Sequence, residues 1–176
     1  MSEYKIVFTG TVGAGKTTAI STISETPPVI TDVANTDKSV EKAQTTVGLD
    51  FGVINLPNGD RVRLFGTPGQ ERFDFMWKIL IKDAFGLVIL IDNTRPSPIS
   101  DMEMYLRNFE EEIKAIPCVI GVGRMTDSSP TTIDDFATSL EAFNFVLPII
   151  PVDVRRIEDV NLLIQMLLAQ AEASSL

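Results

Sequence analysis

A chain of 176 residues is long enough to bury one hydrophobic core and short for two, so it is read as a single domain over 1–176. Apolar residues make up 44% of it and charged residues 22%, a balance that excludes a disordered or fibrous chain. Its 15 basic and 24 acidic residues leave a net charge of −9, which sets the surface field against nucleic acid and anionic lipid.

The elements follow in chain order. Ile6 to Phe8 is a short apolar run that reads as a first strand and leads through a glycine-rich turn into a helix. A polar loop of about twenty residues, Glu25 to Thr45, contains Pro27 and Pro28; loops of this length inside a compact domain are usually functional or disordered. Val47 to Leu56 and Arg61 to Phe65 read as strands joined by Pro57, Asn58, Gly59 and Asp60, a hairpin that makes one strand antiparallel. Phe73, Met76, Trp77, Leu80 and Ile81 recur at helical spacing, as do Ile99, Met102, Leu106, Phe109 and Ile113. Leu87 to Ile91, Val119 to Val122 and Leu147 to Val152 are further strands, the last at an edge because Pro148 cannot donate to a central ladder. A final helix carries Val160, Leu163, Ile164, Leu167 and Leu168 on one stripe. The expected fold is α/β, a six-stranded mixed sheet with one antiparallel strand and helices on both faces.

Cys118 is the one cysteine, so no intramolecular disulfide forms and a reducing interior suits the chain. Met1 to Lys5 lacks the regions of a signal peptide, Ser2 stands where a myristoylated glycine is needed, and Ser174, Ser175 and Leu176 offer no cysteine for prenylation. A cytoplasmic location without a direct membrane anchor is expected. The acidic run Glu110, Glu111, Glu112 reads as a solvated helix flank.

Gly10 to Thr17, with the sequence GTVGAGKT, matches G-x-x-x-x-G-K-[ST] between the first strand and the first helix. Such a loop turns successive amide N–H groups inward and places the positive end of a helix beneath an anion. Gly13, Ala14, Gly15, Lys16, Thr17 and Thr18 are therefore candidates for binding nucleotide phosphates. Lys16 is expected on the β- and γ-phosphates, and the Thr17 hydroxyl on magnesium.

Two later segments narrow the class. Thr45, Thr46, Val47, Gly48, Leu49, Asp50, Phe51 resemble the first switch of small GTPases, and Gly66, Thr67, Pro68, Gly69, Gln70, Glu71, Arg72, Phe73 resemble the second. Across nearly the whole chain the sequence is similar to the Ras-like small GTPases, most of all to the bacterial branch of gliding-motility polarity GTPases and relatives encoded beside roadblock-type proteins. The resemblance implies a switch that binds GTP or GDP with Mg2+ and hydrolyses GTP. Thr46 is then a catalytic and metal-binding group, Gly69 a donor to the γ-phosphate, and Gln70 the residue that orients water. It also implies a protein effector and a GTPase-activating partner, of roadblock type.

Three positions depart from the family pattern. Gly66 replaces an aspartate that holds magnesium through water, leaving Asp50 or Asp92 as substitutes; restoring an aspartate at 66 is expected to leave the fold intact. Val12 stands where Ras has glycine, which implies slow hydrolysis or activation without an inserted arginine finger. The base-recognition motif Asn-Lys-x-Asp is reduced to Gly123, Arg124, Met125, Thr126, Asp127, so that Arg124 and, after a one-residue slip, Asp127 are the candidates for guanine contact. Asp153, Val154 and Arg155 stand at the last base-contacting loop. A nucleotide-binding scaffold with little turnover, and a P-loop NTPase of relaxed base specificity, are the alternatives; a P-loop kinase or ATPase is expected to show an arginine-rich lid or a carboxylate ending the strand before the catalytic loop, and the sequence shows neither clearly.

Overall fold

The computed structural model describes residues 1–27, 29–33 and 47–174, with 29–33, 47 and 48 described by their backbone alone. Strands β1 (Glu3–Gly10), β2 (Val29–Val33), β3 (Val47–Asn55), β4 (Arg61–Gly66), β5 (Gly86–Asp92), β6 (Cys118–Gly123) and β7 (Ile149–Val152) form one sheet in the order β2-β3-β4-β1-β5-β6-β7. The helices are α1 (Lys16–Ile23), α2 (Asp74–Ile81), α3 (Pro98–Asn108), α4 (Glu110–Ala115), α5 (Ile133–Ala142) and α6 (Ile157–Ser174), with a 3-10 turn at Glu71–Phe73 before α2.

All six strands expected from the sequence are present. β3 is the antiparallel member, paired against both β2 and β4, while β1 pairs in parallel with β4 and β5, and β6 with β5 and β7. A seventh strand, β2, lies inside the segment read as a loop. Its sequence VITDV is rich in β-branched residues, and it gains its ladder from the free edge of β3, a long-range partner that local reading beside Pro27 and Pro28 does not reveal. β7 is an edge strand that begins just after Pro148.

The central strand β5 is buried along its whole length, as a strand covered on both faces must be. One face packs Val7, Ile89 and Ile120 against Trp77 of α2, Met102 and Leu106 of α3, Ile113 of α4 and Phe136 of α5. The other packs Phe8, Val88 and Val119 against Ala19 and Ile20 of α1 and Val160, Leu163 and Leu167 of α6. The stripe read on the last helix is narrower than expected, since Leu168 is 47% exposed. The helix read from Ile99 to Ile113 breaks at Phe109, whose backbone leaves the helical region (φ −109°, ψ 19°) while its side chain is fully buried.

Because β1, β4, β5, β6 and β7 run the same way, the loops after them open at one edge of the sheet. Gly10 lies opposite Leu90, Asp92 opposite Gly123, and Gly123 opposite Val152. Ligands of open α/β sheets bind at such carboxyl ends.

Candidate functional site

The loop after β1 is shaped by its glycines. Gly13 and Gly15 take the left-handed conformation (φ 81° and 103°), and Gly15 is the N-cap of α1. The Ala14 N–H donates to Thr11 O at 3.0 Å, closing the turn. Lys16 is 7% exposed and its Nζ donates to Gly10 O at 2.6 Å and Thr11 O at 2.8 Å, so the ammonium is held inside the curl of the loop. Burial pulls its pKa down to about 8, against the opposing charge of Asp50. A buried cation whose hydrogen-bond partners among the described residues are two carbonyl oxygens is suited to receive an anion.

Thr17 follows at the start of α1, and its hydroxyl donates to Asp50 Oδ2 at 2.6 Å. Asp50 comes from β3, where it faces Gly66 across the ladder, and it is 9% exposed. Of the two carboxylates proposed from the sequence to replace the missing aspartate, Asp50 is the one beside Thr17. Asp92 is committed elsewhere: it accepts from Thr94 N at 2.9 Å and Thr94 Oγ1 at 2.6 Å and pairs with Arg124. Burial alone would raise the Asp92 carboxyl; the Thr94 hydrogen bonds and the Arg124 charge overcome this and hold it below the usual range. The Thr17 hydroxyl and Asp50 carboxylate are hard oxygen donors in the small number that Mg2+ takes from protein when phosphates supply the rest. Thr46, the other expected metal ligand, lies outside the described residues.

The segment Gly66 to Phe73, which resembles a second switch, begins against this loop. A Cβ built on Gly69 would stand 2.6 Å from Val12 N and 2.9 Å from Thr11 C, so glycine is needed for the segment to lie on the phosphate loop. Gln70 is exposed and precedes the 3-10 turn in extended conformation. The indole Nε1 of Trp77 donates to Pro68 O at 2.8 Å, and its ring stacks on Phe109 at 5.9 Å between centroids. Trp77 thus ties the residue before Gly69 to the core, a role its place in a helical stripe did not reveal.

Beside the phosphate loop lies a pocket of about 800 Å³ whose walls include Ala14, Thr18, Arg124, Thr126, Asp153 and Val154. Arg124 takes the left-handed conformation (φ 58°), which is rare for a residue with a Cβ, and its guanidinium donates to Gly13 O at 2.9 Å and to Asp92. The arginine therefore ties the end of β5 and the loop after β6 to the phosphate loop. Thr126 and Ser129 close a turn, with Ser129 N donating to Thr126 O at 3.0 Å. Asp127, at its tip, is exposed and does not line the pocket. Val154 is pinned, since its carbonyl accepts from Thr22 Oγ1 at 2.7 Å and its side chain packs where a Cβ on Gly15 would meet Val154 Cγ2 at 2.8 Å. Arg155 pairs with Asp153, at 2.9 Å from Nε and 2.7 Å from the terminal nitrogen.

A family profile described as 50S ribosome-binding GTPase matches residues 5–124. The chain belongs to this GTPase family, and to its Ras-like small GTPases. It is 24% identical over 139 residues to the Ras-related protein Rab-7L1 of Rattus norvegicus, covering 74% of this chain and 62% of that protein. It is 28% identical over 148 residues to the uncharacterized protein MJ1339 of Methanocaldococcus jannaschii, covering 83% and 81%, and 23% identical over 144 residues to ADP-ribosylation factor-like protein 3 of Saccharomyces cerevisiae, covering 81% and 68%. The matched region thus spans less than two thirds of the length of Rab-7L1. The family match spans the phosphate loop, the two segments 45–51 and 66–73, and the loop after β6 as far as Arg124. Among the described residues no helix is long and apolar enough to cross a membrane.

Proposed function

We propose that this protein is a GTP-hydrolysing switch whose two switch loops signal the state of the γ-phosphate to a partner protein in the cytoplasm. The observation that carries the reading is Lys16 held inside the loop by Gly10 O and Thr11 O, with Gly69 lying on the same turn. A triphosphate there meets a buried cation, inward amides and the N-terminus of α1 on one side, and the second switch on the other.

In the reaction, water attacks the γ-phosphorus, the bond to the β–γ bridging oxygen breaks, and GDP and phosphate result. Lys16 and the loop amides stabilise charge on the β- and γ-phosphate oxygens, and the Gly69 N–H donates to the γ-phosphate. Gln70 orients the water, and its exposure leaves it free to turn inward. Thr17, Thr46 and Asp50 are the residues that would hold magnesium. When bound, the ion neutralises charge between the two terminal phosphates. The base rests between Arg124 and the Asp153–Val154–Arg155 loop.

Val12, 59% exposed beside Gly69, supports slow turnover in the absence of a partner. Phe75 and Ile79 of α2 are 60% and 68% exposed four residues apart, directly after the second switch, and suit docking of an effector or activating protein, the roadblock type among them. Single-turnover phosphate release from the protein loaded with GTP and magnesium tests the reading. Release with Gln70 intact and its loss in Gln70→Ala is the expected result; GTP that stays intact with either protein leaves the scaffold without turnover.

A further inference from the structure

Tyr105 of α3 is fully buried, with its ring 5.0 Å between centroids from that of Trp77. Its hydroxyl nevertheless has no hydrogen-bond partner among the described residues. Replacing a protein–water bond by nothing costs folding free energy until a partner reaches the group. The place of the orphan is informative, because Trp77 is also the residue whose indole N–H holds the Pro68 carbonyl at the root of the second switch.

Three charged groups act on this phenol. Burial first, then the carboxylates of Asp101 and Glu71, push its pKa up and keep the proton on the oxygen, while Arg95 pulls the other way. Asp101, one turn earlier on α3, is already spent: its Oδ2 accepts from Arg95 Nε at 2.5 Å and its Oδ1 from the Arg95 terminal nitrogen at 3.3 Å. Glu71 is exposed, and it belongs to a short stretch between two anchors. Before it, the Thr67 N–H donates to Phe8 O at 2.9 Å, the Thr67 and Thr9 hydroxyls meet at 2.8 Å, and Pro68 is held by Trp77. After it, Trp77 itself is buried in α2. Gln70, Glu71 and Arg72 lie between these anchors in solvent. Gln70 is extended (φ −84°, ψ 131°), so its side chain and that of Glu71 leave the backbone on opposite sides.

We infer that Tyr105 is a positioning residue: when the segment closes on a bound triphosphate, the Tyr105 hydroxyl donates to the Glu71 carboxylate and thereby turns Gln70, on the opposite side of the backbone, to the phosphate loop. This rests on the GTP-binding reading above and adds the group to which the closed segment is fastened. Arg95 offsets the charge of Glu71 drawn in beside Asp101. Because the hydroxyl has no partner while Glu71 is in solvent, the bond favours the closed segment alone, as a contact must if it is to shift a population.

The test is a double-mutant cycle in the full chain with Tyr105→Phe, which removes only the hydroxyl and keeps the ring on Trp77, and Glu71→Ala. Affinities for GDP and for a GTP analogue with a β–γ imido bridge are measured, with single-turnover phosphate release from GTP beside them. Each single variant is expected to weaken the imido analogue and to slow release by roughly tenfold, with GDP affinity unchanged. The double variant should lose no more than either single one, since both remove the same bond. In the nucleotide-free protein Tyr105→Phe should leave the thermal midpoint unchanged or raise it, because the hydroxyl it deletes has no partner there. Losses that multiply in the double variant, a loss shared equally by GDP, or a lower midpoint of the free Tyr105→Phe protein would each overturn the inference. If the unaltered protein binds the imido analogue but releases no phosphate from GTP, the hydrolysis reading fails and the affinity cycle still decides the Tyr105–Glu71 bond. Binding of neither nucleotide overturns both.

Discussion

Gly66 faces Asp50 across the β3–β4 ladder, and a Cβ at Gly66 would stand 3.0 Å from both the Cβ and Oδ2 of Asp50. The glycine is therefore the space into which the aspartate fits. The carboxylate missing from the end of β4 is present one strand over, on the neighbour that holds the Thr17 hydroxyl. This changes the expectation that an aspartate at 66 is harmless. It would bring a second carboxylate against a buried one, which repulsion and desolvation both oppose. Gly66→Ala should cost about 1–3 kcal/mol through crowding of Asp50 and the Ile20 Cδ1 at 3.2 Å. Gly66→Asp should cost more, and urea unfolding measures both.

Asp50→Asn keeps an acceptor for Thr17 while removing the charge. Magnesium titrated against nucleotide release should show its midpoint raised by roughly tenfold or more, with the fold unchanged by circular dichroism. An unaltered midpoint would assign the metal to other groups.

Lys16 makes phosphate affinity depend on pH in a defined sense. In the free protein burial lowers its pKa to about 8 from the ordinary lysine value of 10.5. Bound phosphates favour the ammonium and raise that pKa again, so binding takes up a proton where the free lysine is neutral. Affinity for the triphosphate should be flat below pH 8 and fall above it, by up to about tenfold per pH unit. The folding linkage has the opposite sign. The unfolded chain holds more protons between 8 and 10.5, so this lysine's penalty on stability is full below 8 and is relieved as pH rises through that window. Calorimetry in buffers of different ionisation enthalpy measures the proton uptake.

Trp77 is the only tryptophan of the chain. Trp77→Phe keeps an aromatic ring against Phe109 and Tyr105 but removes the donor to the buried Pro68 carbonyl. The loss should be about 1–3 kcal/mol in stability. If Trp77 positions the second switch, phosphate release in single turnover should also slow, with GDP affinity little changed; a purely structural role would lower stability alone.

The local pattern of the chain was enough for the phosphate loop and for most of the sheet, because both depend on neighbours in sequence. GTVGAGKT lies between a buried strand and a helix, and the apolar runs that became β1, β5 and β6 need only their own residues to be recognised. What tertiary structure decided are the pairings across distance. Asp50 reaches Thr17 over 33 positions of sequence, and Arg124 reaches the Gly13 carbonyl over 111. Whether Asp50 or Asp92 stands beside the phosphate loop, and whether Asp127 or Asp153 lines the pocket, follows from strand register and from the direction of a turn. Two aspartates a few residues or a few strands apart are the same letter in a sequence. Only the sheet that sets one against Gly66, and the loop after β7 that carries another at the pocket wall, make them chemically different.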